Sequence, residues 1–104
     1  MVHQEGRITL KVGNIRNYYL RLGSILEMFP PDAIGGSSKA EPGVAILVNF
    51  KPGSSAETDI DGGKLMFRNR SAVREFFESS AAAVGDVVVI EKLSERTFNI
   101  HLES

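Results

Sequence analysis

The chain has 104 residues, 42% of them hydrophobic and 24% charged, with a net charge of −1. These values are typical of one globular domain spanning 1–104 and argue against an intrinsically disordered chain. The absence of cysteine excludes disulfides and cysteine-ligated zinc. The N-terminus is polar, and no run of about 20 apolar residues occurs. We therefore expect a cytosolic or nuclear protein with no membrane partner.

The first half of the chain predicts two strands and one short helix. Apolar and polar side chains alternate over 7–13 and again over 18–22, which is the pattern of half-buried strands. The polar residues 14–17 lie between them and predict the tip of a hairpin-like connection. An apolar run over 25–29 predicts a short helix that two prolines end. The glycine- and serine-rich residues 35–43 predict a surface loop.

The second half predicts one helix and further strands. The helix is expected to begin with Ser71 as its cap, and Val73, Phe76 and Phe77 give it an apolar stripe that we assign to core packing. The strands are expected at 44–50, 57–61, 64–68, 87–90 and 97–102. Seven strands with one or two helices predict a mainly β, α+β domain that is open or barrel-like.

The basic residues are unevenly distributed along the chain. Residues 7–21 and residues 64–74 each hold four basic side chains and no acid, so two short windows contain eight of the 12 basic residues. The rest of the chain holds all 13 acidic side chains and only four basic ones. If the fold brings the two windows together, they form a local positive surface that attracts a phosphate backbone despite the negative net charge.

The common catalytic patterns are missing. Neither His3 nor His101 offers the base that a nucleophilic triad needs. Asp59 and Asp61 resemble the start of a calcium-binding loop, but the glutamate that closes such a loop is absent. Asp32 would open a nuclease motif whose acid and lysine are separated by one residue, whereas Glu91 and Lys92 are adjacent. We therefore predict no catalytic residue, no metal site and no cofactor; the enzyme alternative requires the acids at 32, 59 or 61 to bind a divalent metal.

An ordered set of short motifs covers nearly the whole chain. The motifs are Gly13-Asn14-Ile15-Arg16-Asn17, Phe29-Pro30, Thr58-Asp59-Ile60-Asp61-Gly62, Phe67-Arg68-Asn69-Arg70, Val73-Arg74-Glu75-Phe76-Phe77 and Gly85-Asp86-Val87-Val88-Val89-Ile90. The set resembles the DNA-binding pseudobarrel family, which includes plant B-three-type domains and the N-terminal recognition domains of restriction endonucleases such as EcoRII. The likeness is greater to the bacterial restriction branch, which implies a cytoplasmic bacterial protein associated with the nucleoid when bound.

The resemblance implies a seven-stranded open pseudobarrel that holds double-stranded DNA in the major groove through two arms. On this chain the arms fall at 13–21 and 59–70, which nearly coincide with the two basic windows. It also implies that the domain is itself non-catalytic and either stands alone or serves a nuclease domain in a larger protein or complex. The alternative is a protein-interaction or small-ligand barrel in which the basic windows are solvated surfaces.

Within the two arms, residue chemistry suggests individual roles. Arginine pairs with guanine and asparagine with adenine through two parallel hydrogen bonds, whereas phosphate contacts position the protein. The expected base-contacting residues are Arg16, Asn17, Arg21, Arg68, Asn69 and Arg70. The expected phosphate-contacting residues are Lys11, Asn14, Lys64 and Arg74. Tyr18 and Tyr19 are open to three interpretations, in which both pack in the core, both contact phosphate, or one does each; core packing is preferred.

Overall fold

The computed structural model describes residues 4–103. Within that range the chain forms seven strands, two α-helices and two 3-10 helices, at Gly23–Met28 and Pro31–Ala33. In chain order the strands and α-helices are β1 (Gln4–Thr9), α1 (Val12–Asn17), β2 (Ile46–Lys51), β3 (Ser55–Thr58), β4 (Ile60–Asp61), β5 (Met66–Phe67), α2 (Arg70–Ser80), β6 (Val87–Ser94) and β7 (Thr97–Leu102).

The strands of the described range belong to two sheets. Five of them form an open sheet in the order β1-β6-β7-β2-β3, in which every neighbouring pair is antiparallel except β2 and β7. The short strands β4 and β5 form a separate antiparallel ribbon. The prediction of a mainly β domain with few helices is therefore confirmed, with the seven strands divided five and two.

Period-2 patterning places the core on one face of the large sheet. Ile46, Val48 and Phe50 of β2 are buried, as are Phe98 and Ile100 of β7, while the residues between them point outward. Helix α2 packs on this face with the stripe that its sequence predicts, Val73, Phe76 and Phe77. Burying each such side chain contributes roughly 1.5–3 kcal/mol, so this interface holds α2 against the sheet.

The N-terminal hairpin prediction is wrong. Strand β1 ends at Thr9, and the residues expected to form the hairpin tip belong to helix α1. Asn14 explains the helix: its side-chain oxygen accepts the Lys11 backbone N–H at 2.8 Å, and its side-chain nitrogen donates to the Tyr19 carbonyl at 3.0 Å. These local bonds favour a compact turn over an extended strand.

Residues 18–22 are also not a named strand, although their alternation is correct. Leu20 and Leu22 are buried, and Arg21 makes an isolated antiparallel bridge with Met66 of β5. The predicted strand at 57–61 is broken at Asp59, so β3 joins the large sheet and β4 the ribbon.

The cap of helix α2 differs by two residues from the prediction. Asn69, not Ser71, accepts the Ala72 backbone N–H through its side-chain oxygen, at 3.1 Å. Ser71 lies inside the first turn, where a side chain no longer reaches the free N–H groups in the capping geometry. Among residues 4–103, no helix has both the length and the apolar character needed to cross a lipid bilayer.

Candidate nucleic-acid interface

The fold brings the two basic windows into contact. The bridge between Arg21 and Met66 is continued by a hydrogen bond of 2.7 Å from the Leu22 backbone N–H to the Leu65 carbonyl. The Arg70 guanidinium donates to the carbonyl oxygen of Asn17, at the end of α1. The segment from α1 to Leu22 therefore lies directly beside the β4–β5 ribbon and the start of α2.

Three adjoining grooves run along this contact. The first, of about 460 Å³, is lined by Ile8, Thr9, Lys11, Gly13, Asn14, Tyr19 and Arg21. The second, of about 250 Å³, is lined by Asn17, Tyr19, Arg21, Lys64, Met66 and Arg70. The third, of about 260 Å³, is lined by Asn17, Tyr18, Arg70, Ser71 and Arg74. Since neighbouring grooves share residues, we treat them as one feature, the basic channel.

Four of the five cations of the basic channel have no ion-pair partner among the described residues. None of the described residues that line its grooves is an aspartate or a glutamate. Within residues 4–103, Lys11, Arg21, Lys64 and Arg70 are exposed and form no ion pair, whereas Arg74 pairs with Glu78 at 3.3 Å. Glu78 and Asp61 carry negative charge close to Arg74 and Lys64, and the four unpaired cations still give the channel a local positive potential that attracts a polyanion.

Two aromatic rings orient guanidinium groups along the channel. Arg21 lies over the ring of Tyr19 and Arg74 over the ring of Tyr18, each with 5.2 Å between the guanidinium carbon and the ring centroid. Such cation–π contacts restrain a long side chain without neutralising its charge. The tyrosines are half-buried, so each supports an arginine with one face of its ring while packing at the edge of the protein.

The turn of the β4–β5 ribbon holds Lys64 in place. One carboxylate oxygen of Asp61 accepts the backbone N–H of Gly63 at 2.8 Å and that of Lys64 at 3.0 Å. The Lys64 N–H bond is the main cause that lowers the pKa of Asp61, with help from Gly63, against the opposing effect of burial. Leu65 follows with φ of 55°, which closes the turn. The Lys64 side chain therefore projects from a fixed backbone.

Seven of the ten predicted contact residues lie in or next to the basic channel, although the guanidinium groups of Arg70 and Arg74 also have partners within the protein. They are Lys11, Arg16, Asn17, Arg21, Lys64, Arg70 and Arg74. Arg16 is exposed in the last turn of α1, beside Asn17, and does not line a groove. Arg7, the remaining basic residue of the first window, lies away from these grooves and pairs with Glu5 and Glu103.

The other three predicted contact residues bind the protein itself. Arg68 donates from Nε to both carboxylate oxygens of Asp59 at 3.0 Å, and from its terminal nitrogens to the carbonyls of Ser38 and Gly36. Asn69 caps α2, and the buried Asn14 braces α1. Their side-chain atoms thus have intramolecular partners.

The acids of the enzyme alternative are likewise engaged in structural contacts. Asp32 pairs with Arg96 at 2.7 Å, and Asp59 also accepts the Gly43 backbone N–H at 2.7 Å. Across residues 4–103, histidine, aspartate and glutamate side chains nowhere gather in a group of three or more that suits a metal ion.

Tyr19, for which the sequence left core packing and phosphate contact open, and Ser71, expected as a cap, both line the basic channel. A signal for Tyr19 was present: two adjacent residues of an extended segment point to opposite faces, so Tyr18 and Tyr19 cannot share one core position. Nothing in the sequence marks Ser71.

Comparisons with protein-family models, with curated proteins and with solved structures found no match for this chain.

Proposed function

We propose that this protein binds double-stranded DNA through the basic channel, reads sequence in the major groove and catalyses no reaction by itself. The observation that carries the proposal is the union of two distant, acid-free windows into one channel with five cationic side chains. Neutralisation of backbone phosphates by such side chains provides most of the non-specific affinity of DNA-binding proteins.

The sequence readers in this proposal are Arg16 and Asn17. Both are exposed at the C-terminal end of α1, where Asn17 lines two grooves of the channel and Arg16 lies beside it, and no hydrogen bond among residues 4–103 engages their side chains. They offer the donors and acceptors that discriminate guanine and adenine in the major groove. Arg68, Asn69 and Asn14 are given positioning roles instead, because intramolecular partners occupy their polar atoms.

The resemblance to the pseudobarrel family supports the same arrangement. The N-terminal arm of that family corresponds here to α1 and the segment up to Arg21, and the C-terminal arm to the β4–β5 ribbon and the start of α2. Under this proposal the open sheet and the ribbon together are a pseudobarrel with seven strands. The domain then serves as the recognition part of a restriction endonuclease or as a stand-alone DNA-binding protein.

The experiment is a fluorescence-polarisation titration against a pool of randomised duplexes at low and at physiological salt, with sequencing of the bound fraction. We expect a short enriched motif and an affinity that falls as salt rises. Arg16→Ala is expected to cost about 1–3 kcal/mol of binding and to relax selection at one base pair.

Lys51→Ala is the matched control, because Lys51 is exposed on the outward side of β2 and lines none of the channel grooves. It should leave both affinity and motif unchanged. Absent or unselective binding by folded protein would overturn the proposal and favour a protein-interaction or small-ligand module. Tighter binding to a pool of single-stranded DNA would mean that single strands, and not duplexes, are the target.

A further inference from the structure

The second groove of the basic channel differs from the other two in where its cations come from. Arg21 follows α1, Lys64 lies in the turn of the β4–β5 ribbon, and Arg70 opens α2, yet all three line one groove of about 250 Å³. Asn17, Tyr19 and Met66 complete its wall. The groove is thus the place where both proposed arms contribute charge to the same small volume.

The guanidinium groups of Arg21 and Arg70 are held by contacts of their own, whereas Lys64 extends from a fixed backbone. Arg21 lies over the Tyr19 ring, Arg70 donates to the Asn17 carbonyl, and the Lys64 backbone is fixed by the Asp61 carboxylate. Side chains that are ordered before binding lose little conformational entropy when an anion arrives. The same contacts hinder the Arg21 and Arg70 side chains from extending several ångströms further towards a base edge.

We propose that the second groove is an anion subsite that holds one phosphodiester phosphate of the DNA, so that Arg21 and Arg70 fix the backbone and do not read bases. Phosphate oxygens accept paired N–H donors from guanidinium groups, and an ammonium adds a third charge. This inference rests on the proposed function for its ligand, and it narrows sequence reading to Arg16 and Asn17.

The decisive measurement is a methylphosphonate scan, in which each phosphate of a bound duplex is made neutral in turn. For the native protein we expect one linkage whose neutralisation lowers affinity about tenfold, as the loss of a charged hydrogen-bond partner implies. With Lys64→Gln or Arg70→Gln, neutralising that linkage should cause a smaller loss than in the native protein, because one of its three charged partners is already missing. Both side chains are exposed, so we expect both variants to fold.

Two results of the scan would contradict the subsite. One is a set of small, nearly equal losses at all linkages; the other is an unchanged loss at the critical linkage in both variants. If Arg70→Gln changed the preferred base at one position of the motif but left the effect of the critical linkage intact, Arg70 would be a base-contacting residue.

Titration with inorganic phosphate, followed by NMR, separates this inference from the proposed function. The subsite predicts saturable shifts of the Gly63 and Leu65 amides and of the Arg21 Nε–H signal, reduced by Lys64→Gln and unaffected by Lys51→Gln. Saturable phosphate binding without duplex binding would reject the DNA proposal and assign the groove to a free phosphate compound. Duplex binding without a critical linkage or phosphate shifts would reject the subsite alone.

Discussion

The guanidinium of Arg68 connects three segments that are distant in sequence. It pairs with Asp59, between β3 and β4, and donates to the carbonyls of Gly36 and Ser38 in the loop 35–43. The pair is largely removed from solvent, with side-chain exposures of 19% for Arg68 and 9% for Asp59. Asp59 also binds the Gly43 N–H, so one ion pair fastens both ends of the loop to the ribbon.

Replacing Arg68 is therefore expected to reduce stability far more than replacing a basic residue of the channel. Arg68→Ala leaves the buried Asp59 carboxylate without its cation, which typically costs about 3–5 kcal/mol. Urea denaturation should show this as a lower midpoint, and hydrogen exchange at the Gly43 amide should become faster.

Arg16→Ala is the matched control for this substitution, since Arg16 is exposed and its change should stay within about 0.5 kcal/mol. Equal stability of the two variants would mean that the Arg68–Asp59 pair does not hold the loop.

The sequence identifies which residues are cationic, but not which of them use their charged group for contacts within the protein. Arg21 and Arg68 are the same residue type, each in an acid-free window, and both were expected to contact bases. Their difference depends on Asp59, which lies outside the second window, and on two carbonyls about 30 residues earlier in the chain. Backbone acceptors brought close by the fold leave no sequence pattern.

Among the elements, helix α2 ends in an unusual way. Its C-cap residue, Ala81, is exposed and has φ of 53° and ψ of 43°, the left-handed conformation in which glycine is usually found. A side chain with Cβ costs roughly 1–2 kcal/mol there, against roughly 0.5–1 kcal/mol for the greater flexibility of glycine in the unfolded chain.

We expect Ala81→Gly to raise the free energy of unfolding by about 0.5–1 kcal/mol, measured by urea denaturation. Ala83→Gly, also at an exposed position but without a positive φ, should lower it by a similar amount because only the unfolded-state term remains. Destabilisation by both substitutions would show that Ala81 bears no conformational cost.

The elements that sequence predicted well are those with long periodic patterns. The stripe of α2 spans five residues and the alternation of β7 six; the expected cap of α2 lies two residues from the observed one, and β7 has the expected bounds. Helix α1 was missed because it has only six residues and is specified by Asn14 side-chain bonds rather than by periodicity. The parallel pairing of β2 with β7, and the separation of the ribbon, depend on contacts distant in sequence.

For the whole molecule, the distribution of charge matters more than its sum. The net charge is −1, which alone gives no attraction for DNA. Five cations line the basic channel, while pairs such as Asp32 with Arg96 and Glu5 with Arg7 lie elsewhere. Because surface charges more than about 10 Å apart are largely screened at 0.1 M salt, a polyanion at the channel senses the local cations first.

Two double variants with the same change in net charge test this argument. Arg21→Ala with Lys64→Ala removes two cations from the channel, whereas Lys39→Ala with Lys51→Ala removes two exposed cations from outside it. Because Arg21 and Lys64 face the same phosphate in the proposed subsite, the first variant should flatten the slope of log affinity against log salt by up to about 0.9, the contribution of one phosphate contact. The second should keep the native slope within error, in fluorescence-polarisation titrations at several salt concentrations. Equal flattening in both variants would mean that net charge, and not the channel, governs the attraction for DNA.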